Sequence, residues 1–585
     1  MRGSVRRSDV IRFLMTKISI RRFDNNVVSA LVNRGYPEPL ARALAARKVK
    51  SPEELNYEYK GMLSPWSLLN CKEAGERIAE AVWKQKTIVI IGDYDCDGAT
   101  AVSVGLLGLQ VLGAQNVHYI IPDREKDGYG LSGSLVERAA QMSAQLIITV
   151  DNGISSAPAV ERAKALGIET IITDHHLPGD VIPDALIVNP NQKGDSFPSK
   201  SLAGVGVIFY VLIAARAALR AKGAYPTGRQ PNLEHLIDLV ALGTVADLVP
   251  LDHNNRILVS KGLERIREGK MNFGIGALLS VAGKNAHRIN TNDLGFILGP
   301  RINAAGRLDS ITKGVECLTT YDYSEAQDYA RALDHINAER RNRESSMQAD
   351  AVLSLQTIAV DENKTIVLKG DDWHAGIIGL VASRIKEKAY RPVIAFAPGE
   401  ENGIKVLKGS GRSIKDIHLR DALDLVSKRS PGLILKFGGH AMAAGLTIRE
   451  EDFETFKKVF EETVSKMVGE NAFERNIETD GELSARDFSI ELIEAIRNQV
   501  WGQQFPEPVF SNRFKVLSQR VLKDQHLKLE LEADGRKLQA IWFRHKKELP
   551  PAARLAYKLD INEFRGRSFI QLIIEGMEED SEDWM

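Results

Sequence analysis

The segment Thr87–Ala99, with the sequence TIVIIGDYDCDGA, places three aspartates directly after a short apolar run. Thr87–Ile91 has the length and composition of a fully buried β-strand. Asp93, Asp95 and Asp97 follow within five positions, and carboxylates this close repel one another unless a cation lies between them. Oxygen ligands suit hard divalent ions, so the segment predicts a site for Mg²⁺ or Mn²⁺. The alternative, a solvated acidic loop, would suit a turn between polar segments better.

The size and composition of the chain indicate a multidomain globular protein. Its 585 residues exceed what one hydrophobic core holds. Lys+Arg and Asp+Glu both number 77, so any nucleic-acid surface must be a local basic one. Three scattered cysteines give neither a disulfide framework nor a zinc motif, which predicts a reducing, cytoplasmic environment. The apolar stretch Ser201–Ala215 is too short to span a membrane, and Gly113–Asn116 interrupts Gly98–Pro122. We expect a soluble protein.

Between about residues 72 and 250, apolar runs alternate with helical patterns. This alternation predicts a parallel sheet that is covered by helices on both faces. The predicted strands are Thr87–Ile91, Val117–Ile121, Leu146–Val150, Glu169–Thr173 and Ala185–Val188. The predicted helices between them are Ala99–Leu112, Leu135–Ala144 and Ala157–Gly167.

Acidic or imidazole side chains follow several of these apolar runs. Asp151 follows one predicted strand, and His175 and His176 come just after another. Asp247 follows the apolar run Leu239–Val245, which we take to be a further strand. Open parallel sheets bind ligands at the carboxyl ends of their strands, so we expect these groups to converge with the three aspartates. Taken singly, Asp151 could be a helix N-cap and Asp247 a turn residue.

The motifs at these positions are similar to those of a known family. GDYDCDGAT, PDREKDGYGL, TVDNGIS, TDHHLPGD and ALGTVADLVPLD occur in this order, followed by GPRINAAGRLD, WHAGIIGLVASRIKE, KGSGRS, KFGGHAMAAG and AYKLDINEFRG. The chain resembles the DHH phosphoesterase superfamily and, more narrowly, its single-strand-specific 5′→3′ DNA exonucleases. The resemblance covers nearly the whole chain beyond its first residues.

The resemblance implies a two-metal site, in which paired divalent ions (Mn²⁺ or Mg²⁺) clamp the attacking and leaving oxygens of a phosphoryl displacement. Asp151 would bridge the ions, and Asp174 could orient a histidine. The implied metal ligands are Asp93, Asp95, Asp97, Asp151, His175, His176 and Asp247, of which Asp93 and His176 could instead lie just outside the ligand set. The implied catalytic residues are Asp95, Asp97, Asp151, His175 and His176.

Basic residues and small-residue segments suggest a phosphate-binding surface. Gly409–Ser413 (GSGRS) and Gly438–His440 read as loops whose backbone N–H groups can approach phosphate oxygens, and Arg412 adds a bidentate donor. The resemblance implies that Ser410 and Arg412 surround a 5′ phosphate together with Arg124 and Arg307. The full predicted substrate-binding set is Arg124, Arg301, Arg307, Ser410, Arg412 and His440.

The predicted fold class is α/β: a parallel-sheet DHH domain, a long connecting helix, a smaller α/β DHHA1 domain and a C-terminal OB-like β-barrel. The helix has a charged middle with Arg340, Arg341 and Arg343, and five short alternating runs after residue 512 suggest the barrel. The boundaries are 1–70 for a mixed segment that packs on the next domain, 71–320 (DHH), 321–358 (helix), 359–468 (DHHA1), 469–578 (barrel) and 579–585 (acidic tail).

The leading functional hypothesis is a metal-dependent exonuclease that degrades single-stranded DNA to nucleoside 5′-monophosphates in recombination and repair. By resemblance, its partners would include a single-strand-binding protein and a helicase. A relative that hydrolyses short oligonucleotides, cyclic dinucleotides or pyrophosphate is the first alternative, although it needs no third domain. A catalytically dead DNA-binding scaffold is the second, and it would be expected to have lost some ligand positions.

Overall fold

In the computed structural model, the described residues are 16–123, 127–128, 130–226, 228–355, 363–401, 403–564 and 567–578. They form an N-terminal segment and three lobes. The N-terminal segment contains strand β1 (Thr16–Ile20) and helices α1 (Asn25–Asn33) and α2 (Glu38–Ala46).

The first lobe contains a five-stranded sheet and most of the helices. Its strands are β2 (Ile88–Ile91), β3 (Val117–Ile120), β4 (Leu146–Val150), β5 (Glu169–Thr173) and β6 (Leu186–Val188). The helices that surround the sheet are α3 (Cys71–Trp83), α4 (Cys96–Leu112), α5 (Gly133–Gln141), α6 (Ala157–Ala165) and α7 (Gly204–Ala221). The remaining helices are α8 (Ile237–Ala246), α9 (His253–Arg267), α10 (Phe273–Val281), α11 (Thr291–Asp293), α12 (Gly299–Leu308) and α13 (Thr312–Thr319).

All five strands of this sheet are parallel, in the order β3-β2-β4-β5-β6. The predicted strands therefore occur, each within one or two residues of its expected bounds. The side chains of β2, β4, β5 and β6 are almost all buried, because helices cover both faces of the sheet, whereas the edge strand β3 is partly exposed. Strand β3 lies on one side of β2, and the next strand, β4, lies on the other side. This reversal creates a crevice at the carboxyl ends of β2 and β4, where parallel sheets bind ligands.

Helix α7 is longer than the sequence suggested. It runs for 18 residues to Ala221, so the expectation that this apolar stretch is too short was wrong. Its length and composition alone would suffice to cross a membrane, and 67% of that span is buried inside the protein. It packs against α3 and α4, as the central helix of a globular core does.

A single long helix, α14 (Tyr323–Leu355), leads out of the first lobe, as predicted. It contains neither glycine nor proline, which would interrupt its hydrogen-bond ladder. Two of the three arginines in its charged middle take part in ion pairs along the helix. Arg340 lies 3.3 Å from Glu344, and Arg343 pairs with Glu339. The positive charge of this segment is therefore partly neutralised.

The second lobe is a smaller α/β unit. Its elements are β7 (Ile366–Lys369), α15 (Ile378–Ala389), β8 (Val393–Glu401), β9 (Ile404–Arg412), α16 (Leu419–Arg429), β10 (Lys436–Gly439), β11 (Ala443–Arg449) and α17 (Phe453–Met467). The sheet has the order β10-β11-β9-β8-β7, in which only β7 and β8 are parallel.

Two segments of this lobe that we predicted as phosphate-binding loops are strands. Gly409–Arg412 lies in β9, which pairs with β8 on one side and β11 on the other. Gly438 and Gly439 end β10, in a hairpin with β11. The backbone N–H groups of Ser410, Gly411 and Arg412 therefore belong to the sheet, and only side chains remain to contact a phosphate. Small residues occur here because neighbours pack closely: a Cβ on Gly409 would lie 2.5 Å from the Phe396 ring.

The third lobe ends in a closed five-stranded barrel, as predicted. Its elements are β12 (Arg475–Thr479), α18 (Ile490–Arg497), β13 (Phe510–Leu522), β14 (His526–Ala533), β15 (Arg536–Trp542), β16 (Ala552–Phe564) and β17 (Arg567–Met577). The barrel order is β13-β14-β15-β17-β16, and β16 pairs back onto β13. Phe510 and Phe514 are fully buried in the barrel core, whereas Phe543 is half exposed.

The N-terminal segment joins the third lobe as well as the first, which differs from the packing expected for it. Strand β1 pairs in parallel with β12. Arg47 makes a buried bidentate ion pair with Asp480, with N–O distances of 2.8 and 3.0 Å. Arg21 also reaches Asp480, at 3.4 Å. This segment therefore connects the two ends of the chain.

Replacing Asp480 by alanine should destabilise this connection strongly. The change leaves the Arg47 guanidinium buried without its counter-ion, which typically costs about 3–5 kcal/mol. We expect a lower midpoint of thermal unfolding, measured by calorimetry, with the loss concentrated in the transition that includes the barrel. Glu54→Ala, which removes a carboxylate of the N-terminal segment outside this ion pair, serves as the control. Equal midpoints for the two variants would contradict a stabilising role for the buried pair.

Candidate metal centre and substrate cleft

The three aspartates of the opening segment lie in the crevice at the carboxyl end of β2. Asp95 is the N-cap of α4, and its Oδ1 accepts a hydrogen bond from Gly98 N at 3.0 Å. Asp97 is fully buried and accepts from the backbone N–H groups of Gly204 and Val205, at 2.6 and 3.0 Å. These N–H groups begin α7, where the positive end of the helix dipole stabilises a carboxylate. Asp93 is also buried and accepts from Tyr94 N.

Asp151 follows β4 and lies at the centre of the cluster. It adopts a left-handed backbone conformation with φ +62°, which aspartate tolerates better than most residues. Oxygen and nitrogen atoms of Asp93, Asp95 and Asp151 approach within 4.8 Å of one another, and so do those of Asp151, His175 and His176. Asp151 thus belongs to two groups of potential ligands, as a bridging carboxylate would.

The two histidines after β5 are held by different partners. Asp174 Oδ1 lies 2.8 Å from His176 Nδ1 and also accepts from the backbone N–H of both histidines. This contact confirms that Asp174 orients a histidine and identifies it as His176. The backbone of Leu202 hydrogen-bonds the His175 ring. His175 Nε2 is then directed at carboxylates, 3.1 Å from Asp151 Oδ1 and 3.5 Å from Asp247 Oδ2.

Asp247 joins the cluster from a helix and not, as predicted, from a strand. Leu239–Val245 forms most of α8, and Asp247 is the C-cap of that helix. An apolar run that is buried on every side carries no periodicity by which a strand and a helix can be told apart. The convergence itself holds, because Asp97, His175 and Asp247 form a third group of potential ligands within 4.8 Å.

The cluster fits a bound cation. Asp151 Oδ1 and His175 Nε2 are both buried and make no hydrogen bond to the described residues. The two atoms lie 3.1 Å apart, and buried polar atoms without hydrogen-bond partners are costly. A cation bound between them would satisfy both atoms. The donor set of carboxylates and imidazole, without cysteine, suits Mn²⁺ or Mg²⁺.

Crowding and burial also perturb the acidities in the cluster. Burial, reinforced by the charge of Asp95, raises the pKa of Asp97 to about 7. Burial and the neighbouring aspartates raise the pKa of Asp151 and of Asp247 well above the ordinary value. Burial lowers the pKa of His175 to about 4. Cations between these carboxylates would remove the cost of ionising them.

Several predicted substrate-binding residues converge at the boundary between the first two lobes. Arg307, near the end of α12, donates to the carbonyl of Gly376 in the loop before α15, at 2.9 Å. Arg412 Nη1 donates to Ser410 Oγ at 3.1 Å. The side chains of Arg412 and Ser410 lie against the first turn of α15, since a Cβ on Gly379 would be 2.8 Å from the Arg412 guanidinium and 2.9 Å from Ser410 Oγ. Two arginines, a hydroxyl and a helix N-terminus together make an anion-binding surface.

Among the described residues, Arg301 and His440 were also predicted to bind substrate, and neither has a hydrogen bond or ion pair to this group. Arg301 is buried, donates to the carbonyl of Ile297 at 2.6 Å and pairs with Asp334 at 2.8 Å. Its guanidinium joins α12 to α14, and its role in substrate binding stays a prediction. His440 is exposed in the hairpin between β10 and β11. Arg124 lies outside the described residues.

The first turn of α7 and two residues of α12, Asn303 and Gly306, support the metal centre, although sequence reasoning did not single these residues out. Asn303 Oδ1 on α12 accepts from Cys96 N, and a Cβ on Gly306 would lie 2.0 Å from Tyr94 O. Helix α12 therefore packs directly on the aspartate loop. The small residues of GPRINAAGR were the sequence signal for this packing, because they allow the helix to approach the backbone of the aspartate loop closely.

Replacing Gly306 by valine should separate α12 from the aspartate loop. The added side chain would collide with the backbone of Tyr94, so either the loop that carries Asp93 and Asp95 or the helix that carries Arg307 must move. A displacement near 1 Å in such a site costs on the order of a hundredfold in rate. Single-turnover hydrolysis measures the loss, and Gly133→Val, at the exposed start of α5 with open space around it, is the control. Equal rates for the two variants would exclude this positioning role.

Family models and known relatives agree with this geometry. The DHH family N-terminal domain matches residues 87–244, the DHHA1 domain matches 362–466, and the RecJ OB domain matches 479–576. These matches fall inside the predicted domains, whose exact boundaries stay a prediction. The fold and the metal-binding cluster together define a DHH-type phosphoesterase with an added OB domain.

The relatives narrow this class to one family. The chain is 47% identical over 557 residues to the single-stranded-DNA-specific exonuclease RecJ of Salmonella typhimurium, covering 92% of this chain and 95% of the relative. The crystal structure of Thermus thermophilus RecJ with Mn²⁺ matches with a TM-score of 0.80 and 28% identity, over 97% of this chain and 80% of that one. Its complex with Mg²⁺ gives a TM-score of 0.75 and 27% identity, covering 97% and 79%. This chain belongs to the RecJ family of single-stranded-DNA-specific exonucleases.

Proposed function

We propose that this protein is a metal-dependent exonuclease that degrades single-stranded DNA from its 5′ end to nucleoside 5′-monophosphates. The observation that carries the proposal is the cluster of carboxylates and imidazoles in which Asp151 Oδ1 and His175 Nε2 lie 3.1 Å apart, buried and without a hydrogen bond to the described residues. Relatives named as single-stranded-DNA-specific exonucleases support the substrate class.

Two divalent ions, Mn²⁺ or Mg²⁺, fit the three ligand groups. Asp93, Asp95 and Asp151 would hold one ion, and Asp97, His175 and Asp247 would hold the other, with Asp151 between them. When bound, such a pair lowers the pKa of a water molecule that lies between the ions and neutralises charge that develops on the phosphate. The RecJ crystal structures with Mn²⁺ and with Mg²⁺ support this choice of ions.

The protein's own contribution is to position and orient these groups. The N-terminus of α7 holds both oxygens of Asp97, and the cap bond of Asp95 fixes that carboxylate relative to α4. Asp174 Oδ1 contacts His176 Nδ1 at 2.8 Å and so fixes the orientation of that imidazole ring. His176 would contact the scissile phosphate or its leaving oxygen, since it lies at the more exposed edge of the cluster.

The anion-binding surface of Arg307, Ser410 and Arg412 would set the polarity of the reaction. A terminal 5′ phosphate carries more negative charge than an internal phosphodiester, so it gains more from two arginines and a helix N-terminus. Helix α12 links this surface to the aspartate loop, through Gly306 and Arg307. A strand held there by its 5′ phosphate would present its first phosphodiester to the metal centre. The resemblance adds Arg124 to this set.

The barrel would hold the following part of the strand. Arg520 and Lys528 lie directly opposite each other on β13 and β14, on a groove that also includes Gln539 of β15. Like charges in such a pair destabilise a sheet unless a polyanion neutralises them. We further propose a cytoplasmic location, a role in recombination and repair, and cooperation with a single-strand-binding protein and a helicase that opens duplex DNA.

Digestion of strands that carry a label at either end tests the proposal. With Mn²⁺ or Mg²⁺, a 5′-labelled, 5′-phosphorylated strand should release a labelled mononucleotide first, while the 3′-labelled strand shortens progressively. Blunt duplex of the same sequence should persist. Release of the 3′ nucleotide first, or equal digestion of duplex and single strands, would refute the proposed polarity or substrate.

A further inference from the structure

We infer that a cavity between the first lobe and the third lobe receives one unpaired base of the substrate strand, with Phe296 as its stacking surface. The inference rests on the proposed function, because it assigns a place to a nucleotide beyond the one being cleaved. The cavity has a volume of about 210 Å³, enough for a single base. Its walls come from the end of α8, the turn before α12, and residues 501–507 of the third lobe.

One wall of the cavity adjoins the metal centre along the chain. Leu248, in this wall, directly follows the predicted ligand Asp247. The turn that carries Phe296 packs on the same end of α8, where a Cβ on Gly295 would lie 3.2 Å from Val245. A strand that leaves the metal centre along this end of α8 would meet the cavity.

Phe296 is presented to solvent by an unusual turn. Leu294–Leu298 forms one turn of π-helix, in which Leu294 and Leu298 are buried and Phe296 is 68% exposed. A π-helical turn is less stable than α-helix and is frequently found at functional sites. Arg301 stabilises this turn by donating to the carbonyl of Ile297 and pairing with Asp334. The turn thus holds a large apolar ring in solvent, although such rings are usually buried in folded proteins.

Leu248 lies on the same cavity and shows a similar exposure. It is 58% exposed and has φ +61°, a left-handed conformation that is unfavourable for leucine. Non-glycine residues held in this region concentrate at active sites and ligand clamps. Phe296 and Leu248 together offer an apolar contact next to the path of the strand.

The rest of the wall suits an uncharged, planar group with polar edges. The charged wall residues Glu507 and Lys558 pair with each other at 3.5 Å, so they provide no unbalanced charge for a phosphate. Asn292 and Gln503 supply side-chain amides that can bond a base edge. Trp501 stacks on Phe505 and donates to the carbonyl of Ile496, so that side of the cavity is fixed. Stacking on an aromatic ring tolerates every base, as a sequence-independent nuclease requires.

Abasic-site scanning tests the inference. The full-length Asp151→Asn protein would bind 5′-phosphorylated 12-nucleotide strands, each with one abasic site at successive positions, and dissociation constants would be measured by fluorescence anisotropy. We expect one position at which the missing base weakens binding about tenfold. Adding Phe296→Ala should weaken binding of the intact strand by a similar factor, and the abasic site at that position should then cause no further loss of affinity. Phe296→Trp should restore both the affinity for the intact strand and the effect of the abasic site.

Phe273→Ala provides a matched control, because Phe273 is an exposed ring (47%) on the same lobe outside the cavity. If Phe296→Ala binds every strand as the Phe273 control does, the inference is wrong. It is equally wrong if Phe296→Ala changes only the self-association of the protein, since the cavity would then serve an interface. These binding results are separate from the end-label digestion, so failure of the proposed polarity would be recognised independently.

Discussion

Replacing Asp151 by asparagine is expected to lower the rate of single-strand hydrolysis at least about a thousandfold, equivalent to roughly 4 kcal/mol of transition-state stabilisation. Asp151 is the residue shared by two groups of potential metal ligands, and a neutral amide cannot bridge two cations as a carboxylate does. The same change should stabilise the metal-free protein, because the raised pKa of Asp151, caused by burial and neighbouring carboxylates, reports a costly buried charge.

Asp180→Asn is the matched control, since Asp180 is exposed in the loop that follows the two histidines. In saturating Mn²⁺, Asp151→Asn should lower the single-turnover rate, and Asp180→Asn should leave it unchanged. In chelator, Asp151→Asn should raise the midpoint of thermal unfolding, and Asp180→Asn should not. Asp151→Asn protein that retains more than about a tenth of the wild-type rate would contradict the bridging role of this carboxylate.

Removing divalent ions should abolish hydrolysis and lower the stability of the first lobe. Without cations, burial and mutual repulsion raise the pKa values of Asp97, Asp151 and Asp247, and ionising these groups at neutral pH destabilises the folded state. Adding Mn²⁺ at a hundred times its dissociation constant contributes about 2.7 kcal/mol per ion. Scanning calorimetry with and without chelator measures this difference.

The Asp151→Asn variant also controls this second experiment, because loss of the shared ligand should reduce the stabilisation by Mn²⁺. The second lobe provides an internal reference, since the predicted metal ligands all lie in the first lobe. A wild-type protein whose unfolding transitions are unchanged by chelator would show that the cluster does not hold ions, whatever the effect on hydrolysis.

The sequence by itself determined the parts of the fold that depend on local pattern. The five apolar runs of the first lobe became five parallel strands, and the uninterrupted helical pattern at Tyr323–Leu355 became one helix. The convergence of the groups that follow β2, β4 and β5 came from the same reasoning, because parallel strands align their carboxyl ends, whereas Asp247 joins from the end of α8. Period and composition decide these features before any distant contact forms.

Tertiary structure decided what local pattern leaves ambiguous. Leu239–Val245 is a helix and Gly409–Arg412 a central strand because neighbours surround them, which short apolar or glycine-rich segments do not reveal. Arg301 resembled a phosphate ligand in sequence, yet it is paired with Asp334 and supports the turn that carries Phe296. The partners of a charged side chain depend on which distant elements pack beside it. Sequence therefore identified the chemistry of the metal centre, and packing alone fixed its supports and the cavity beside it.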